Sequence, residues 1–235
     1  MDYMAQSTLI NCSLISLDDV LQHGTVINGV LIEKPHRLLT ATTIATQVIL
    51  NVASSQFGGT TITLSHLAPF VRDSKNYYIK KYSDTDLSED EKKQMVEADL
   101  AKEIRDSVQT FNYQVNSMST TNGQAPFISV FMYVDEDPEY KEETAMLIEE
   151  FLKQRMIGLK NEQGHYITPA FPKLLYGLDE DNIKEGSEYY WLTELAAKCT
   201  AKRMVPDYIS AKKMREYKVD DNGDGNVFPC IKSCA

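Results

Sequence analysis

The chain has 235 residues, of which 43% are hydrophobic and 25% charged, as in ordinary globular domains. Its formal net charge of −10 argues against a nucleic-acid-binding surface, which would carry a basic stripe. No apolar run reaches the ~20 residues of a membrane span, no secretory signal is evident, and four cysteines are too few for a disulfide framework. These features predict a cytoplasmic protein with reduced thiols and no membrane or nucleic-acid partner.

In the first part of the chain, apolar runs alternate with helical periodicity. The patterns predict a buried strand over residues 8–17, a helix with one buried face over 35–59, and a strand or extended segment over 61–70. Pro35 suits the first turn of this helix, and the glycine pair at 58–59 would end it.

Residues 88–118 show the clearest helical pattern in the chain. Ser88 and Glu91 have the spacing of a capping box, in which each side chain binds the backbone N–H of the other residue. The apolar stripe that follows comprises Leu100, Ile104, Val108, Phe111 and Val115. This spacing of three and four residues predicts one buried face.

The remaining segments continue the alternation of strands and helices. They are a strand at 127–134, a helix at 137–156, a strand at 171–180, a helix at 187–204 and a short strand at 205–210. Strands separated by helices long enough for crossovers indicate a parallel sheet covered by helices. The sequence therefore predicts the α/β class and a single domain over residues 1–235.

Two polar segments beside predicted strands are candidates for binding groups. Asn122 and Gln124 precede the strand at 127–134 and are substrate-side candidates, although a turn centred on Gly123 also explains this segment. The segment LDEDN (178–182) follows a strand, at the end where α/β folds collect ligand groups. A cap for the following helix is the commoner role of such residues.

The other unusual features give weaker signals. DDNGDG (220–225) starts like a calcium loop, but Ile231 replaces the glutamate that such a loop needs, so a turn explains it better. Cys199 lies within a helical pattern and is expected to be buried. Cys230 and Cys234 lack a second cysteine or histidine pair, so no metal site is predicted. The residues alone indicate an α/β domain that could have a redox role.

Five longer strings are more specific, and together they resemble the anaerobic (class III, glycyl-radical) ribonucleoside-triphosphate reductases. The strings occupy residues 10–36, 44–71, 121–134, 171–183 and 189–210, in order along nearly the whole chain. The resemblance implies a ten-stranded α/β barrel made of two antiparallel halves, with a cysteine-bearing finger loop inside. This chain would form roughly the first half of that barrel.

The resemblance also implies radical chemistry on nucleotides and assigns cysteines to it. In this family a glycyl radical is passed to a finger-loop cysteine, whose thiyl takes the hydrogen from the 3′ carbon of the ribose. Cys12, in INCSLI, matches the first active-site cysteine, on the first barrel strand. The finger-loop position falls in PCIKSCA (229–235), where Cys230 and Cys234 remain alternatives because the family pattern is approximately PCMGCRS.

An effector-nucleotide site is the second implication of the resemblance. Glu33, Lys34 and Lys80 lie in the segments that would contribute to it. Solvated surface charge is an equally good explanation of each residue. A non-catalytic remnant that binds an effector, or one with only a structural role, is the alternative to a catalytic function.

The family further implies cofactors and partners that this chain is not expected to hold by itself. They are the glycyl radical, zinc, ATP or dNTP effectors, formate or a thiol reductant, a radical-SAM activating enzyme, and a second subunit in a homodimer. The N-terminal ATP-cone and the C-terminal glycyl-radical and zinc segments are expected to lie outside these residues. On this expectation both ends are truncated, and the isolated chain reduces no nucleotide.

Overall fold

A sheet of five parallel strands lies at the centre of the computed structural model, which describes residues 12–27, 29–56, 58–121, 123–219, 225 and 227. Each strand of this sheet pairs with the one that precedes it along the chain. The strands are β1 (Ser13–Leu14), β2 (Thr60–Thr63), β3 (Ile128–Met132), β4 (Lys173–Leu178) and β5 (Asp207–Ser210). The predicted α/β class with a parallel sheet is confirmed.

Helices follow the strands, and most of them pack against one face of the sheet, whereas Ala211 of the last helix packs with Phe131 and Tyr133 in a separate cluster. They are α1 (Leu17–His23), α2 (Leu38–Ser54), α3 (Ala68–Ser83), α4 (Glu89–Ser117), α5 (Lys141–Ile157), α6 (Glu180–Ile183), α7 (Tyr190–Arg203) and α8 (Ala211–Tyr217). Apolar residues of α2 to α5 and α7 share one core with Ile62, Val130 and Leu174 of the strands. Within the described part of the chain, no helix is long and apolar enough to cross a membrane.

Two antiparallel hairpins lie outside this sheet. The first hairpin pairs Thr25–Ile27 with Val30–Ile32, and the second hairpin pairs Leu159–Lys160 with Tyr166–Ile167. Each follows a helix and a glycine with positive φ, at Gly24 and Gly158. Neither hairpin was predicted from the sequence, because each strand has only two or three residues and little alternation.

The opposite face of the sheet is called the second face below. Side chains alternate across a strand, and register places Leu14, Thr61, Thr63, Phe131, Leu175 and Ile209 on this face. Phe131 and its register partner Leu175 belong to a small cluster separate from the main core. The second face is therefore partly apolar and lies away from the main helical layer.

The helix predicted at 88–118 is confirmed as α4. The Ser88 hydroxyl accepts the Glu91 backbone N–H at 3.3 Å, and the Glu91 carboxylate accepts the Ser88 N–H at 2.9 Å. Every residue of its predicted apolar stripe is buried. Local capping and packing agree in this helix, which is why its bounds could be predicted.

Several predicted boundaries in the first third of the chain were wrong. The first strand ends at Leu14 rather than residue 17, because α1 begins at Leu17. The helix predicted at 35–59 begins at Leu38, so Pro35 lies before its first turn, and it ends at Ser54. Burial of Pro35 in the preceding loop, rather than helix geometry, explains its position.

The strand predicted at 61–70 was also wrong beyond Thr63. A 3₁₀ turn, Leu64–Leu67, follows β2 and leads into α3, which has a proline near its start. Phe70, Val71 and Tyr78 form the buried face of α3. This spacing is helical, but Lys75 and the exposed Tyr77, which lie between these residues, mask the pattern in the sequence.

We expect Ser88→Ala to lower the free energy of unfolding by about 1 kcal/mol, because an N-terminal N–H of α4 loses its acceptor. Urea denaturation measures this change. Ser83→Ala is the matched control, since the exposed Ser83 hydroxyl donates to the Lys80 carbonyl oxygen and the Asp84 carboxylate and caps no helix N-terminus. Equal losses in the two variants would contradict a capping role for Ser88.

Candidate functional site

Cys12 immediately precedes β1 at the amino edge of the sheet. The backbone N–H of Ser13 donates to the Gly59 carbonyl oxygen at 3.0 Å, which fixes this end of β1 beside β2. Cys12 lies in a bend outside the two-residue strand, so the alternation of side chains along the strand does not assign it to either face. The residue is half-buried. The cysteine predicted on the first strand thus lies directly before that strand.

Gln124 lies at the same edge, in the loop before β3. The Thr120 backbone N–H donates to the Gln124 carbonyl oxygen at 2.7 Å, and Gly123 has a φ of +74°. The predicted turn is therefore present, and the Gln124 side chain is exposed. Asn122 lies outside the described residues, as do the finger-loop candidates Cys230 and Cys234.

Three polar side chains form a cluster at the carboxyl edge, called the Asp179 cluster below. The Arg215 guanidinium donates to both carboxylate oxygens of Asp179, at 2.8 Å each. The Tyr133 hydroxyl donates to the same carboxylate at 2.6 Å. Asp179 also accepts the Glu180 backbone N–H and caps α6. The LDEDN segment therefore provides the expected cap and a charged cluster as well.

Hydrogen bonding fixes the protonation states within the Asp179 cluster. Burial opposes ionisation of Asp179, but hydrogen bonds from Arg215 and Tyr133 outweigh it and lower its pKa to about 2. The hydrogen bond to Asp179 raises the pKa of Arg215. Burial and the adjacent carboxylate raise the pKa of the Tyr133 hydroxyl. At neutral pH the cluster therefore contains a carboxylate, a guanidinium and a neutral phenol.

At the same carboxyl edge, two titratable side chains, Glu136 and His66, are shifted toward their uncharged forms. The Thr63 hydroxyl, at the end of β2, donates to the Glu136 carboxylate. Burial raises the pKa of Glu136, although hydrogen bonds from Thr63 and Ser65 oppose this effect. Burial also lowers the pKa of His66, whose Nδ1 has no hydrogen-bond partner among the described residues. Both shifts favour the uncharged forms, in which Glu136 can donate a proton and His66 can accept one.

Lys141 connects the ends of β3 and β4. Its Nζ lies 2.5 Å from Asp135 Oδ1 and 3.5 Å from Asp181 Oδ2. The hydrogen bond to Asp135 raises the pKa of Lys141, whereas burial raises that of Asp181.

Among the described residues, no group of three His, Cys, Asp or Glu side chains could hold a metal ion.

Sequence reasoning missed most of this carboxyl-edge chemistry. Tyr133 and Glu136 had one available signal, since both come directly after the apolar run of β3. Nothing in the sequence around Arg215 marks it, because its partners lie 36 and 82 residues away. The fold alone brings these residues together.

The predicted effector residues lie elsewhere. Glu33 and Lys34 are exposed and line an open groove between the first hairpin and α2, together with Arg37. Arg37 pairs with the buried carboxylate of Glu103 at 2.7 Å, which fixes one wall of the groove against α4. Lys80 is exposed on α3 and is not one of the residues that line this groove. The structure brings two of the three predicted residues together.

These observations define a class: an α/β domain whose parallel strands run in chain order, with polar side chains collected at both ends of the strands. The chain matches the family model described as anaerobic ribonucleoside-triphosphate reductase over residues 1–233. It therefore belongs to the anaerobic ribonucleoside-triphosphate reductase family.

Curated relatives and solved structures agree with this assignment. The Escherichia coli K12 anaerobic ribonucleoside-triphosphate reductase is 34% identical over 214 residues, covering 89% of this chain and 29% of the relative. The enterobacteria phage T4 anaerobic ribonucleoside-triphosphate reductase is 34% identical over 220 residues, which cover 90% of this chain and 34% of the relative. The chain thus spans about a third of the length of these relatives.

The Thermotoga maritima anaerobic ribonucleotide reductase, in complex with dATP and CTP, has a similar fold. Its TM-score is 0.61 at 14% identity, covering 86% of this chain and 34% of that chain. This likeness shows that the described sheet and helices form part of the barrel-type fold of such reductases. The expected half-barrel fold is confirmed as a partial domain.

We expect Asp179→Asn to lose about 2 kcal/mol of folding stability near neutral pH, because the ion pair with Arg215 is removed. The folded-state pKa of Asp179 is depressed, so its contribution is present above pH ~4 and disappears as pH falls toward 2. Urea denaturation across this pH range measures the difference between the parent and the variant.

Asp86→Asn, in an exposed loop, is the control for loss of a carboxylate as such. A parent-minus-variant difference for Asp179 that stays constant from neutral pH to pH ~2 would contradict this linkage.

Proposed function

We propose that this chain forms half of the catalytic barrel of an anaerobic ribonucleoside-triphosphate reductase, which converts ribonucleoside triphosphates to deoxyribonucleoside triphosphates. Family membership and the half-barrel fold support this proposal. The observation that carries it is the position of Cys12 directly before β1, at the amino edge of the sheet. We propose that its thiol faces the second face, which becomes the barrel interior, shielded from solvent, when a second half closes the barrel.

The proposed reaction requires two cysteines that are close in space and distant in sequence. A finger-loop cysteine, Cys230 or Cys234, takes the hydrogen atom from the ribose 3′ carbon, and the 2′ hydroxyl leaves as water. Cys12 supplies the strand-borne thiol, which is able to give a proton to the leaving hydroxyl. Gln124, at the same edge as Cys12, is proposed to contact the substrate, as is Asn122, two residues before it in the sequence.

The other requirements of the reaction come from outside the described residues. The glycyl radical, installed by a radical-SAM activating enzyme, supplies the oxidising radical in this family, and formate or a thiol system supplies electrons. The described residues offer no zinc site, so no step is assigned to that metal. We propose a homodimeric, cytoplasmic enzyme, as nucleotide reduction for DNA synthesis requires access to cytoplasmic nucleotide pools.

We expect Cys12→Ala to reduce deoxynucleotide formation by at least about a thousandfold, because a member of the reacting set is removed. The assay uses the whole polypeptide that carries these residues, activated anaerobically, with CTP as substrate and dCTP as the measured product. Cys199→Ala is the matched control, since Cys199 is fully buried in α7.

The control variant should keep most of its activity and lose only packing stability. If Cys12→Ala retains parental activity, the catalytic assignment of Cys12 is wrong. Equal inactivation of both variants would instead show that any cysteine loss disrupts the fold, and the proposal would lose its main support.

Effector-nucleotide binding is the second candidate function. The groove lined by Glu33, Lys34 and Arg37 favours it, and the similar Thermotoga maritima structure is described with dATP in a specificity site. Lys34 and Arg37 would contact phosphates, and Lys80 is proposed to contribute from α3. A non-catalytic remnant that retains this groove would bind nucleotides without reducing them.

We expect Lys34→Gln to weaken dATP binding about fivefold, because an exposed cation is worth about 1 kcal/mol to a phosphate. Equilibrium dialysis of the 235-residue chain measures the affinity. Lys198→Gln, on the exposed side of α7, is the matched control. Unchanged affinity in Lys34→Gln would exclude this lysine from an effector site.

A further inference from the structure

Another groove lies between α4, α5 and the second hairpin, and is called the hairpin groove below. Its volume is about 510 Å³, within the ~300–1,000 Å³ that small-molecule sites occupy. Its lining includes Arg105 and Tyr113 of α4, Glu150 and Lys153 of α5, and Lys160 and Tyr166 of the second hairpin. None of them belongs to the sites described above.

Two tyrosine rings stand exposed in this groove. Tyr113 has 52% of its surface exposed and Tyr166 has 55%. The Gln109 amide donates to the Tyr113 hydroxyl at 2.9 Å, and the Lys160 ammonium lies 5.2 Å from the centre of the Tyr166 ring. Both rings are therefore held by neighbours. Exposed aromatic rings beside cations are stacking platforms for planar bases.

The hairpin groove is basic in an acidic chain. Arg105, Lys153 and Lys160 outnumber Glu150 among its charged lining residues, whereas the chain has a formal net charge of −10. Lys153 pairs with Glu149 at 2.7 Å. Within the described ranges, Arg105 and Lys160 have no carboxylate within ion-pair distance. An anionic ligand would supply the missing partner.

Hydrogen bonds from Arg203 hold one side of the groove. Arg203 of α7 donates to the carbonyl oxygens of Met156 at 3.2 Å and Ile157 at 2.7 Å, and to the Thr168 hydroxyl at 3.1 Å. These bonds fix the second hairpin to the end of α5. They also occupy carbonyls at a helix C-terminus, which would otherwise repel an anion.

We propose that the hairpin groove binds a nucleoside 5′-polyphosphate, with the base against Tyr113 and Tyr166 and the phosphates against Arg105 and Lys160. This site is separate from the groove lined by Glu33 and Lys34. A compact anion with a planar ring would contact both the tyrosine rings and the cations of the groove. A long polyanion such as nucleic acid would meet the negative charge of the surrounding chain.

Equilibrium dialysis of the 235-residue chain with ATP, inorganic tripolyphosphate and a short oligo(dT) tests this proposal. Tyr166→Ala and Lys160→Gln should each weaken ATP binding about tenfold, the effect of losing one stacking or charge contact. The matched controls are Tyr217→Ala and Lys213→Gln on α8. There, the Lys213 ammonium lies 5.9 Å from the Tyr217 ring centre, outside the groove.

Unchanged ATP affinity in the control variants, with losses in Tyr166→Ala and Lys160→Gln, would support the proposal. Absence of ATP binding at millimolar concentration would overturn it, as would equal losses in the control pair. Tripolyphosphate binding as tightly as ATP would refute the ring contact, and tighter binding of oligo(dT) would refute the ligand class. ATP binding that falls only in Lys34→Gln belongs to the effector groove and would also overturn the proposal.

Discussion

The right-handed crossover between neighbouring parallel strands is the constraint on which this structure depends. When each new strand is added on the same side of the last, such crossovers bring every connecting helix to one face of the sheet. The observed strand order is of this kind, and the main core lies on the helical face. The second face and both edges are thereby left available for polar and thiol chemistry.

Two ion pairs join the ends of helices and strands to neighbouring elements. Arg215 and Asp179 join α8 to the end of β4, and Arg37 and Glu103 join the start of α2 to α4. In each pair the carboxylate is buried and the arginine is partly exposed. Removal of the arginine would therefore leave a buried carboxylate without its counter-charge. These contacts therefore set the position of the carboxyl edge and of the effector groove.

Sequence reasoning succeeded where local signals and packing coincide. The capping box at Ser88, the apolar stripe of α4 and the apolar run of β3 are each visible within a short window. It failed for α1, α3 and the two hairpins, whose apolar patterns are too short or too interrupted to be recognised in the sequence. The Asp179 cluster could not be predicted because its members lie 36 to 82 residues apart in the sequence. Cys12 was identified through the family resemblance, and its role stays a prediction.

The proposed catalytic residue and the two proposed nucleotide grooves are on opposite sides of the sheet. Cys12 is proposed to act on the second face, whereas the hairpin groove and the groove of Lys34 lie within the helical layer. A ligand in either groove cannot touch a substrate on the second face, because the sheet and its core lie between them. Any influence of such a ligand on the reaction must then pass through α4 and α5, whose core residues also pack on β3. Rigid helices in contact with both regions make that coupling physically reasonable.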